Sequence, residues 1–147
     1  MSNSQAPVVG EATAVESGRS RTWPVLVVAV GCAAAYAIFF VLPYYANELQ
    51  RYPLADVAVG YHDPKDLWPR TTAWGPLFAF GGFVTLTFGP LVVLGTLGWA
   101  VVKLVVGHAT HGWRERTVLL GATAVSLGTL VWLGTPLAGA LMGWFLD

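Results

Sequence analysis

The residues predict an all-α membrane protein with three transmembrane helices, the second and third forming a tight antiparallel hairpin. Three features lead there: a surplus of apolar side chains, three long stretches without a charge, and tryptophans gathered at the ends of those stretches. Of the 147 residues 55% are hydrophobic and 11% charged, and the mean hydropathy is +0.60. Soluble domains carry roughly 25% charged residues, so this chain lacks the polar surface that keeps a domain dissolved. The formal net charge of zero removes the bulk electrostatic case for nucleic acid.

Residues 1–22 hold Ser, Gly, Pro, Glu and Arg without a sustained apolar period and read as a disordered cytoplasmic tail. The membrane domain then covers 23–147, with spans at about 24–43, 74–103 and 117–146. The first span has Val, Leu, Ile or Phe at ten of its twenty positions. Twenty residues at ~1.5 Å each reach ~30 Å, the thickness of a hydrocarbon core. Pro24 suits the first helical position, and Pro43 is expected to end the helix. Ala29-Val30-Gly31-Cys32 loosely resembles a lipoprotein cleavage box, but the apolar run continues through Leu42, unlike the core of a signal peptide. The second and third stretches would reach ~45–48 Å as helices, too short for two crossings each and long enough for one with tilt.

Trp23, Trp68, Trp74, Trp99, Trp113 and Trp144 fall at or beside predicted span ends, where an indole is half buried with its N–H wet. Only Trp132 lies mid-span. Orientation follows from the short flanks. Arg19, Arg21, Lys103, Arg114 and Arg116 outnumber Arg51, Lys65 and Arg70. The tail and loop 104–116 are therefore assigned to the cytoplasm, and loop 44–73 and the C-terminus to the outside of a plasma membrane. Usage rich in Ala, Gly and Val, with one Ile and two Lys, points to a GC-rich bacterial coding bias.

Between helices in lipid, close backbone approach replaces the hydrophobic effect as the source of attraction. Gly75, Gly82, Gly89 and Thr96 recur every seven residues, with Ala79 and Ala100 interleaved. Gly121, Gly128 and Thr135 repeat the pattern beside Ala124 and Ala138. Such rows keep one face towards a left-handed neighbour, which is the basis for the hairpin. Further small rows are Ala29, Ala33 and Ala37, and Gly139 with Gly143. Gly89-Pro90 and Thr135-Pro136 interrupt the second and third helices and are read as packing bends.

Chemistry is sparse. No predicted span holds an Asp, Glu or His, and Lys103 stands at the very end of the second. Proton relays and ion-coupled transport normally need such groups at depth. Thr85, Thr87, Thr96, Thr123, Ser126, Thr129, Thr135 and the Tyr36 phenol are expected to bond their own helix or a neighbour, since no base activates them. Cys32, the single cysteine, excludes a disulfide framework and a CxxC motif, and reads as an inert thiol. His108 and His111, three apart, could share a helical face, but only Glu115 stands near as a third ligand, and an interfacial loop accounts for them. In the outside loop Tyr44, Tyr45, Tyr52 and Tyr61 suit a headgroup-level surface. Asp63-Pro64-Lys65-Asp66 has a helix-start pattern that carries Leu67 and Trp68 towards the interface. His62, Asp63 and Asp66 could ligate a divalent ion, but the capped turn explains them more simply. Glycosylation signals, a phosphate loop, HExxH and GxSxG do not occur.

These readings assign no catalytic, cofactor-binding or metal residues. The expected function is that of a non-catalytic accessory or scaffold subunit, its partners being the lipid bilayer and other membrane subunits or further copies of itself. The alternative is a homo-oligomeric channel or small transporter lined by hydroxyls.

Overall fold

A computed structural model describes residues 22–59, 63–106 and 112–146, and every regular element among them is helical. The disordered tail expected over residues 1–22 lies outside the described residues except for Thr22, a buried turn residue. Tyr61, His62, His108 and His111 also lie outside them.

The first apolar run begins as α1 (Trp23–Tyr36), with proline in its first turn as expected. It passes through a π-helical turn, Ala37–Val41, into α2 (Leu42–Ala46). Pro43 therefore does not end the helix. A proline inside a helix clashes with the carbonyl four residues back and donates no bond. The wider π turn just before it alters that register and lets the chain continue. The helix stops only at Asn47, where Glu48 takes a left-handed conformation (φ 57°) and donates its N–H to the Tyr45 carbonyl at 3.1 Å.

The loop 44–73 is more ordered than a loop of surface aromatics requires. After a 3₁₀ turn at Leu49–Arg51 comes α3 (Leu54–Ala58), started by Pro53 and carrying Asp56 in its first turn. A second 3₁₀ turn, Pro64–Asp66, starts as its residues predicted: the Asp63 carboxylate accepts from the Lys65 N–H at 2.8 Å. Turns through Thr72 then lead into α4 (Gly75–Val106), which stays helical through Pro90 and runs beyond residue 103.

The stretch 117–146 is two helices. Here α5 (Trp113–Leu133) begins earlier, taking in Arg114 to Arg116 from the expected loop, and α6 (Pro136–Leu146) follows a break at Gly134-Thr135. The break leaves its backbone satisfied. Gly134 N–H reaches the Leu130 and Val131 carbonyls, and Thr135 N–H reaches Trp132. The Thr135 hydroxyl donates to the Trp132 carbonyl at 2.7 Å and accepts from the Ala138 N–H at 3.2 Å, an N-cap for α6.

Among the described residues three helices are long and apolar enough to cross a membrane: Trp23–Ala46, Gly75–Val106 and Trp113–Leu133. They pack pairwise, α4 on α5 and α1 on both, while α6 packs on α3. Two buried clusters result. At one end Ala29, Ala100, Leu119 and Ala122 bring α1, α4 and α5 together. At the other, Tyr36, Phe40, Tyr44, Leu49, Val57, Leu141, Trp144 and Phe145 join the α1–α2 rod, the ordered loop and α6.

The seven-residue row on α4 is buried at Gly75, Gly82, Gly89 and Thr96, but the atoms nearest its glycines do not belong to α5. A methyl group at Gly82 would overlap the Phe145 ring of α6; one at Gly89 would overlap the Tyr36 hydroxyl of α1; one at Gly75 would strike the Arg70 carbonyl. On α5, a Cβ at Gly121 would lie 3.5 Å from Leu26 of α1, and Gly128 faces open space. The spacing marks the buried face of α4. At Gly82 and Gly89 that face is filled by the tips of aromatic side chains.

Candidate functional site

Two places bring chemistry-bearing side chains together: the waist of the bundle around Tyr36, and the folded loop with α6.

At the waist, Tyr36 is 2% exposed and donates its hydroxyl to the Thr85 carbonyl of α4 at 3.3 Å. Its ring lies 5.8 Å from that of Phe40 and 5.6 Å from that of Trp132. The Cys32 thiol, half buried, lies 3.7 Å from the Gly89 carbonyl. Thus Trp132, expected mid-span but found in the last turn of α5, has an aromatic partner, and the thiol packs against backbone. Two interruptions meet here beside the unbroken α4: the π turn follows Tyr36, Trp132 precedes the break at Gly134, and Gly89 of α4 abuts Tyr36.

The hydroxyls are occupied by their own helices. Thr85, Thr87, Thr96, Thr123 and Thr129 each donate to the carbonyl four residues back, at 2.6 to 2.9 Å. The Ser126 hydroxyl is buried without a partner among the described residues. A shallow cavity of about 310 Å³ opens between α1 and α5, walled by Ala33, Tyr36, Ala37, Gly128, Thr129 and Trp132. With Tyr36 and Thr129 already bonded, its lining has an apolar character. It can hold hydrocarbon and offers no nucleophile or proton carrier.

At the other place, loop and helix are tied by polar contacts between distant residues. The Asn47 amide donates to the Pro43 and Trp68 carbonyls, each at 2.7 Å, and its oxygen accepts the Trp68 N–H at 3.2 Å. The end of α2 is thereby fixed to the approach to α4. The Arg70 guanidinium donates to the Phe145 carbonyl and stacks over the Phe145 ring, 4.6 Å from its centroid. Phe145 is in the last turn of α6, where carbonyls lack helical partners and a cation is favoured by the helix dipole. Burial pushes the Arg70 pKa down from its ordinary value, while Asp63 pulls it back up; a guanidinium remains charged regardless.

Of the acidic loop residues, Asp63 pairs with Lys65 at 3.9 Å as well as capping its turn, and Glu48 pairs with Arg51 at 2.8 Å. Asp56 and Asp66 are exposed. No three His, Cys, Asp or Glu side chains gather among the described residues. Around these ties the surface is aromatic, with Tyr45, Tyr52, Trp68 and Trp74 exposed. Trp144 departs from the expected belt: at 2% exposure it is a core residue beneath the loop. Tyr44 is likewise buried. Sequence reasoning weighed Asn47 only as a glycosylation acceptor, which its neighbours exclude, and took Arg70 only as a flanking charge. Neither carries a local signature of its partner.

No known protein family, no curated protein and no solved structure matches this chain.

Proposed function

We propose that the protein is a three-span integral membrane protein that acts as a non-catalytic accessory subunit, holding a larger membrane partner through its folded loop. In this reading α4 and α5 form an antiparallel hairpin in a plasma membrane, the N-terminus is cytoplasmic and the loop faces outward. The observation that carries it is the pairing of a reactive-group-poor bundle with a folded, aromatic loop surface. A disordered loop pays ordering entropy on binding, whereas one fixed by Asn47, Arg70 and a core of Leu49, Val57 and Trp144 has paid it already. Exposed Tyr and Trp on such a platform supply large contact area at low entropic cost. The channel reading finds less support, because the bundle's threonine hydroxyls are bonded within their own helices.

Photo-crosslinkers at Tyr52 and Trp74 test the proposal. Both positions are expected to capture the same membrane protein in native membranes. A chain that purifies alone at full yield in several detergents, with no adduct from either position, overturns it.

A further inference from the structure

A second groove, of about 290 Å³, runs between α1 and α4 at the end of the bundle away from the folded loop. Pro24, Val25, Val28, Gly95, Thr96 and Trp99 wall it. Its one hydroxyl, Thr96, already donates to the Val92 carbonyl at 2.6 Å, so the walls ask for hydrocarbon. Its mouth asks for something else. The Lys103 ammonium stands 5.4 Å from the Trp99 ring centroid, one helical turn beyond the groove wall. Lys103 is exposed and makes no ion pair among the described residues. The groove also ends at the first turn of α1, which contains no acid and has no side-chain cap, so its dipole adds partial positive charge at the same level. The cavity between α1 and α5 has no charge in its lining and discriminates nothing.

We infer that the α1–α4 groove binds one anionic phospholipid, its acyl chain between Val28 and Gly95 and its phosphate on Lys103. The match is one of charge as well as shape: a zwitterionic headgroup fills the same space and brings a second cation to a place that already has one. Trp99 lies between chain and headgroup, the depth an indole prefers. The inference rests on the membrane reading above.

Native mass spectrometry of the full chain in detergent, titrated with dioleoyl phosphatidylglycerol or dioleoyl phosphatidylcholine, tests it. Phosphatidylglycerol is expected to bind about fivefold more tightly, the effect of one lysine near a membrane surface. Lys103→Gln should abolish that preference and leave phosphatidylcholine unchanged. Gly95→Leu should weaken both lipids, since a side chain there has open space and fills the groove. Val28→Phe fills it from the opposite wall and serves if the first variant does not fold. Equal affinities in the parent chain, or a preference that survives Lys103→Gln, overturn the site. So does a photo-crosslinker at Gly95 that captures the chain's own residues 1–21. Any of these results with a chain that still requires detergent leaves the membrane reading standing; a chain monodisperse in plain buffer removes both.

Discussion

Tyr36 holds three helices at once: it belongs to α1, hydrogen-bonds α4 and packs its ring on Trp132 of α5. Room for it exists only because residue 89 has no side chain. Gly89→Ala should therefore force the ring aside and destabilise the protein by about 1–3 kcal/mol, the usual cost of overpacking. Gly95→Ala is the matched control. Nothing lies within 4 Å of a Cβ there, and alanine favours a helix over glycine by about 1 kcal/mol, so this variant should melt no lower than the parent. Thermal unfolding in one detergent separates the two. The burial of Gly75, Gly82, Gly89 and Thr96 was legible in their seven-residue spacing, because periodicity defines a face. The identity of what covers that face was not, because Tyr36 and Phe145 arrive from elements whose approach no local pattern encodes.

Two prolines show how elements diverge from similar signals. Pro90 sits inside an unbroken α4, whereas Pro136 opens a new helix. The difference lies in their neighbours. Thr135 before Pro136 can cap, and does so through both Trp132 and Ala138, which gives the chain a satisfied alternative to continuing. Thr135→Ala should cost about 1 kcal/mol of stability, and Thr135→Ser much less, read from the same melts. The π turn before Pro43 is the reverse case, where tertiary packing of Phe40 and Tyr44 keeps a helix running past a residue that local rules would use to end it. The tie between Arg70 and Phe145 spans 75 residues of sequence and could not be read from either end. Arg70→Met keeps the stem and removes the donor, leaving a carbonyl at the end of α6 without its partner. Amides 141–146 should exchange faster by hydrogen–deuterium mass spectrometry while α4 is unchanged. Arg70→Lys should restore protection only in part, since an ammonium cannot both donate and stack as a guanidinium does.

For the molecule as a whole, the three apolar runs were legible because hydrocarbon-length segments without charges need no tertiary information. The folded loop was less so: its order comes from Leu49, Val57 and Trp144 meeting across the chain, and composition alone reads as a surface. The proposed topology makes a prediction at this scale. In a Cys32→Ala background, a cysteine at Ala55 should react with a membrane-impermeant maleimide on intact cells. One at Ser4 should react only after lysis. The inverse pattern would reverse the orientation, and labelling of both would contradict a crossing by Trp23–Ala46 between them.

The two buried clusters are made of different material. One is a knot of rings and branched side chains reaching from Tyr36 to Phe145; the other is three alanines and a leucine. Alanines contribute little dispersion energy of their own, so that end depends on the partly buried Val25, Leu26, Leu104 and Val125 packed around them. A harsher solvent should thus open the protein like a tulip, parting the alanine end while the aromatic end remains shut.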